Sequence, residues 1–319
     1  MGGGWLGGGW QGGGWQGGGW QGGGWQGGGW QGGGWVGGGG SEGMYAMRPD
    51  RPLVAEDVST TPPPADGNTA PKFPRKAWDD DLFALTFLPD FFTANVGSPA
   101  KTWDQYITLS PFPNVVMPNG AGASTDDKID DLRILAVTER PEAMGEIVNQ
   151  HQNQQLCFMQ LLTMTANSHP STFFVMKLAA RVGEVVMMRL KRQFNRPRPT
   201  QYYPALYPPL PVPGHSSYPA GHALIAHLTA QVLIEVTTPA TGNSPYERTL
   251  LKLAEAIGRN RVIAGFHFWS DISAGELAGK LTHEFLTKMP DPYTGANFPP
   301  PDPMFSYGSA VRYAKDDWK

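Results

Sequence analysis

The sequence predicts an all-α protein, a helical bundle preceded by a disordered or low-complexity Gly/Trp segment. Three observations carry this expectation. From about residue 141 onward, apolar residues recur at helical spacing over stretches of fourteen or more residues. No alternating β-runs separate those stretches, so a sheet has nothing to be built from. The first forty residues, finally, break sharply from the rest in composition: residues 2–35 are GGGW seven times over, with Leu6, five Gln and Val36 as spacers.

That head and the GGGG after it hold 25 of the 41 glycines, 7 of the 11 tryptophans and no charge. Glycine at this density cannot offset its ordering entropy with a core. A step of five puts successive Trp on opposite faces of a strand and advances 140° on a helix, so neither gives a stripe. Residues 1–43 therefore read as a tag, a linker or an assembly segment, GGGGS at 37–41 resembling a made linker. Residues 44–78, rich in Pro, Asp and Thr (TTPPPADGNTAPKFP), form an irregular lead-in. The expected catalytic domain spans 79–319. Within it, 79–138 offers short apolar clusters such as LFALTFLPDFF, consistent with one or two short helices.

The stronger helices follow. PEAMGEIVNQHQNQQLCFMQLLTMTA starts near Pro141, where a missing N–H costs nothing. HPSTFFVMKLAARVGEVVMMRLKRQF starts at Pro170 and Ser171 and runs to Phe194, where NRPRP ends it. Residues 197–219 hold eight prolines and make a long loop of the kind that usually carries function. ALIAHLTAQVLIEV (223–236) is apolar nearly all round and belongs at the centre. The stretch from Ser244 to Met289 reads as two helices joined or bent near Gly265 to Ser270, with SPYE as a capping box at Ser244 and Glu247. From Pro290 the chain returns to Pro-rich, irregular sequence.

Composition removes several function classes. A net charge of −3 gives no general attraction to nucleic acid. No stretch reaches about 18 uninterrupted apolar residues, so no membrane span is expected. A single cysteine, Cys157, precludes an intrachain disulfide and suits a reducing, cytoplasmic setting, and no signal pattern follows Met1, Met44 or Met47. Neither HExxH nor CxxC occurs, which argues against zinc.

Three stretches carry chemistry. Lys191-RQFNRP-Arg198-Pro199 closes one helix and opens the Pro-rich loop; alone, it could merely complement the helix dipole. Pro219-Ala220-Gly221-His222 sets a turn against a helix start, where bare N–H groups and the positive dipole end attract an anion; the alternative is a capping turn with an incidental histidine. Asn260-Arg261-VIAGF-His267-FWS-Asp271 places a carboxylate four residues after a histidine, so that on a helix it could fix the imidazole tautomer; the alternative is a surface pair.

Lys-x6-Arg-Pro, Pro-x-Gly-His and Arg-x5-His-x3-Asp, in this order over roughly 141–289, resemble the superfamily that joins type-2 phosphatidic acid phosphatases with vanadium-dependent haloperoxidases. The resemblance implies a helical bundle holding a tetrahedral oxyanion, phosphate or vanadate. It implies that Lys191, Arg198 and Arg261 neutralise the oxygens, with the Gly221 N–H as a further donor. His267 would be the phosphohistidine nucleophile in a phosphatase, or the single protein ligand to vanadium, bound as vanadate, in a peroxidase. Asp271 would orient it and His222 would be the acid–base group. Two departures stand out: Ala220 replaces the usual serine, and Asn260 replaces the serine before Arg261. Each removes a neutral contact worth about 1 kcal/mol and no charge.

Between the two chemistries, the sequence places the vanadate-dependent haloperoxidase first, because His215 resembles the residue beside the metal in bromide-type enzymes; the alternative for His215 is a loop histidine bonded to backbone. Met188 counts mildly against it. The second reading is a soluble phosphomonoesterase acting through His267. A third, of another class, is an assembly scaffold driven by the GGGW repeats. The partners expected are accordingly halide and hydrogen peroxide, or a phosphate ester, with no nucleic acid, no membrane span, and homo-oligomerisation through the repeats as an alternative.

Overall fold

The computed structural model describes residues 78–290 and 306–319. The readings of the Gly/Trp head and of most of the 44–78 lead-in lie outside those residues. The chain divides into two compact units, Met1–Leu82 and Phe83–Lys319, and everything below concerns the second unit unless stated.

Among the described residues the protein is overwhelmingly helical, as the spacing of apolar residues predicts. The order is α1 (Asp80–Leu85), which begins in the first unit, α2 (Leu88–Thr93), α3 (Trp103–Tyr106), β1 (Val115–Val116), β2 (Asp127–Lys128), α4 (Ile129–Thr138), α5 (Arg140–Leu161), α6 (Pro170–Phe194), α7 (Pro199–Tyr202), a 3-10 turn (Pro204–Leu206), α8 (Gly221–Thr237), α9 (Glu247–Ile263), α10 (Trp269–Lys288) and α11 (Tyr307–Asp316). β1 and β2 form a two-residue parallel ladder that no alternating pattern foretold.

Helix α8 is the centre, packed against α10, α9 and α6, as its apolar sequence requires. Its contact with α10 is unusually close. A Cβ on Gly275 would stand 2.6 Å from the Ala220 carbonyl oxygen, and one on Gly279 would stand 2.6 Å from that of Leu224. No side chain fits between these backbones. One apolar cluster joins Phe83, Phe87, Phe91, Phe174 and Phe285 with the buried faces of α6, α8 and α11. A second joins Phe158, Met176, Leu233, Leu250 and Ile257 between α5, α6, α8 and α9. Burying each such large side chain contributes about 1.5–3 kcal/mol.

Several local expectations change. Ser244 does not cap α9: its hydroxyl meets Thr237 Oγ1 at 2.6 Å and accepts from the Tyr246 N–H, while Tyr246 stands at the cap position. The tail beyond Pro290 is not wholly irregular, since Ser306 caps α11 by accepting from the Ser309 N–H. Helix α11 packs on α6, with the Asp317 carboxylate accepting from the Thr172 N–H. Helix α5 is broken by extended backbone at Asn153. Gly265 turns the chain between α9 and α10 at φ +81°, a conformation that favours glycine. Arg140 ties that turn to the Pro-rich loop by donating to the Ile263, Leu206 and Tyr207 carbonyls.

Candidate active site

The three motifs converge at one end of the bundle. Lys191 lies in the last turn of α6, Arg198 just beyond it, Gly221 and His222 in the first turn of α8, Arg261 in the last turn of α9, and His267 and Asp271 around the start of α10. Two of these ends are joined by backbone: the Ala220 N–H donates to the Asp271 carbonyl at 2.9 Å.

His267 and Asp271 do not face each other along a helix. His267 precedes α10, Phe268 is the N-cap, and Asp271 is the third helical residue. From there the carboxylate reaches back as a capping group: Oδ2 accepts from the Phe268 N–H at 2.9 Å and lies 3.2 Å from His267 Nδ1. On the other edge of the ring, Arg198 Nη1 lies 3.2 Å from Nε2. A guanidinium has donors only, so Nε2 must accept and the ring proton must sit on Nδ1, facing Asp271. Burial, followed by the charges of Arg198 and Lys191, holds the His267 pKa well below the usual imidazole value. The ring is therefore neutral, with its lone pair turned toward the cations.

The cations differ in how they are held. Lys191 donates all three of its protons to carbonyls, of Ser216 at 2.8 Å, Ser217 at 2.9 Å and Pro219 at 2.6 Å. It pins the loop and lends the site its charge, while burial, and then Arg198, pull its pKa down. Arg198 is shared among the His215 and Phe266 carbonyls, His267 Nε2 and His215 Nδ1. Arg261 is 1 % exposed and uses only Nη2, on the Ile147 carbonyl; its Nε and Nη1 have no partner among the described residues. Burial lowers the pKa of Arg198 and of Arg261 to about 10, leaving both charged. A buried guanidinium with open donors is costly unless a ligand completes it. No side chain caps the start of α8, because Ala220 stands at the N-cap, so its first-turn N–H groups have no side-chain partner.

His222 is partly buried beside Arg261. Its pKa is well below normal because of burial, then Arg261, His151 and His267. His215 is brought to the site as the partner of Arg198, 3.0 Å from Nη2, and burial with Lys191 and Arg198 lowers its pKa to about 4. Met188 is 47 % exposed. Asn260 is engaged elsewhere, donating to Glu146 and Gln150.

Three residues that sequence reasoning did not single out complete the frame. Arg196, fully buried, donates to Asp271 Oδ1 at 2.7 Å and to Asp127 Oδ2 at 2.9 Å, and lies against the rings of Phe112 and Phe268. Asp127 comes from β2 and also takes hydrogen bonds from Ser270. Ser217 donates to Asp271 Oδ2 at 2.5 Å. The proline-rich motif around Arg196 was a visible cue, but its carboxylate partner Asp127 lies far earlier in the chain.

Residues 171–293 match the family model of the PAP2 superfamily. Among solved structures, the chain is similar to a transmembrane PAP2 type phosphatidylglycerolphosphate phosphatase from Bacillus subtilis, with 18 % identity, a TM-score of 0.35, and coverage of 49 % of this chain and 80 % of that one. That neighbour is described as transmembrane, against the expectation here of a small-molecule substrate and no membrane span. Among the described residues no helix is long and apolar enough to cross a membrane.

Proposed function

We propose, from the premise that residues 171–293 form a PAP2-superfamily domain, that the chain is a phosphatase-type hydrolase of phosphate monoesters that works through a phosphohistidine on His267. One observation supports this above the others: His267 presents its Nε2 lone pair to the cation cluster while Nδ1 faces Asp271.

The steps follow from the residues. The phosphoryl oxygens take up the open Nε and Nη1 of Arg261 and the N–H groups at the start of α8, with Lys191 and Arg198 supplying charge. As the anion arrives, Arg198 exchanges its bond to Nε2 for one to oxygen and frees the nucleophile. Nε2 attacks phosphorus, the ester oxygen leaves, and His222 gives that oxygen a proton. Asp271, its carboxylate fixed by Arg196, Ser217 and the Phe268 N–H, balances the positive charge that grows on His267. Water, losing its proton to His222, then releases phosphate. The neutral His222 becomes a competent acid once the anion offsets Arg261.

A second reading keeps the same residues and replaces phosphate with vanadate. The open donors of Arg261 and the Nε2 lone pair suit that tetrahedral anion equally, and bound vanadate would supply peroxide activation for halide oxidation. His215 is the residue that favours this reading, through its position against Arg198. Its engagement there also supplies an ordinary reason for a histidine at 215, which places the phosphatase first.

The test assays purified protein without vanadate on a water-soluble aryl phosphate and on a phospholipid monoester in vesicles, and separately with vanadate, peroxide and bromide. Release of phosphate that vanadate inhibits and that His267→Ala abolishes supports the first reading. Bromination without phosphate release replaces it with the second.

A further inference from the structure

His151 lies on α5, upstream of the matched segment, yet its ring belongs to the site. It is nearly parallel to the His222 ring, with centroids 6.3 Å apart and an interplanar angle of 10°. Its centroid lies 6.2 Å from that of Phe266, which is tilted 25° to it. Helix α5 loses its helical backbone two residues later, at Asn153. The same helix supplies the Ile147 carbonyl, the partner of Arg261 Nη2.

We propose that His151 is a positioning residue for His222: its ring, braced by Phe266, sets the plane in which His222 meets the anion. The inference rests on the phosphatase reading for its catalytic consequence. Offset parallel rings at this separation are an attractive arrangement, and they restrict rotation of an imidazole whose other hold is the Gln150 backbone. A general acid must hold its proton within hydrogen-bond reach of the departing oxygen, so angular freedom in His222 costs rate before it costs binding.

The charges around the pair add a second consequence. Arg261 from α9, His267 from the segment before α10 and His151 from α5 all face His222 and oppose its protonation, while the Gln150 backbone favours it. His151 has Arg261 against it as well, and burial and that charge lower its pKa to about 4. The two rings therefore compete for a single proton, and the one nearer the anion gains it when negative charge arrives.

The experiment follows the His222 ring resonances by NMR from pH 3.5 to 8, with saturating inorganic phosphate, in the wild-type protein, H151Q and H151F. Turnover of both phosphate monoesters is measured alongside. In H151Q the His222 midpoint is expected to stay within about half a pH unit, because His151 is neutral where His222 titrates, while the His222 ring resonances shift or broaden as the ring loses its brace. H151Q is also expected to lose about tenfold in kcat with KM within twofold, and H151F, which keeps a flat ring, to recover most of that loss. His222 ring resonances that stay as in the wild type throughout the H151Q titration, or an H151F kcat as low as that of H151Q, overturn the proposal. If the wild-type protein hydrolyses neither ester, the phosphatase reading fails, and the His222 titration still decides the role of His151.

Discussion

Arg196 and Arg261 are two buried guanidinium groups that serve the same histidine, and they are treated in opposite ways. Arg196 is the better supplied: two carboxylates, a serine hydroxyl and two aromatic faces surround it, and only its Nε lacks a partner among the described residues. Within its region, with Ser217 and Ser270, the carboxylates of Asp127 and Asp271 more than offset its charge. Arg261 has one carbonyl and two open donors, and its companions in the cradle are the cations Lys191 and Arg198, with no carboxylate bonded to it among the described residues. Paired charge builds a frame, whereas unpaired charge held in place by that frame makes a site. Asp271 makes no hydrogen bond to Lys191, Arg198 or Arg261, although its charge favours the protonated forms of Lys191 and Arg198. Its oxygens are taken by Arg196, Ser217, Phe268 and His267, all on the frame side.

The largest expected effect removes the residue between the two regions. His267→Ala should lower phosphate-ester turnover by about a thousandfold or more and abolish the acid-labile phosphoenzyme in rapid-quench experiments. The two arginines should then separate cleanly. Arg196→Met leaves two buried carboxylates without a cation and should destabilise folding by about 3–5 kcal/mol in urea titrations. Arg261→Met removes a charge that no carboxylate balances; stability should hold or rise, while affinity for inorganic phosphate falls by about tenfold to a hundredfold in calorimetry. Equal stability losses in the two variants would erase the distinction.

A smaller effect comes from pH. His151 and His215 have folded pKa values lowered to about 4, below the ordinary value near 6.5. The unfolded chain therefore binds protons first as pH falls, and stability contributed by their neutral burial is present above about 6.5 and lost on the way down to about 4. The loss should be on the order of 3 kcal/mol for each histidine across that window in denaturation midpoints, and saturating phosphate should flatten it by offsetting the cations that oppose protonation. The smallest change is Ala220→Ser, which restores the hydroxyl the family usually carries. It should tighten phosphate binding several-fold, about 1 kcal/mol.

What the sequence disclosed follows from what is local. Helices α5, α6 and α8 could be read from apolar spacing and from Pro141 and Pro170, because those signals act within a few residues. Lys191, Arg198, Gly221, His222, Arg261, His267 and Asp271, singled out by the order and spacing of their motifs, lie at one end of the bundle. The frame could not be read in this way. Arg196 finds Asp127 from a two-residue ladder that has no periodic pattern, and Ser217 finds Asp271 across the loop. The spacing of His267 and Asp271 suggested neighbours on one helix, where the fold instead uses a cap, with the histidine outside the helix and the carboxylate reaching back. His151 stayed hidden because its partner His222 lies on another helix, and Ser244 misled because a tertiary contact with Thr237 overrode its local capping role.

The glycines of α10 set how far apart the two halves of this machine can drift. Because Gly275 and Gly279 leave only backbone between α8 and α10, the gap from the start of α8 to the start of α10 is gauged by peptide units, which do not rotate through rotamers. Side chains elsewhere in the core can exchange conformers without altering that gap. The tolerance of the reaction geometry is thus fixed by main-chain thickness, and a single added methyl at Gly275 would reset it.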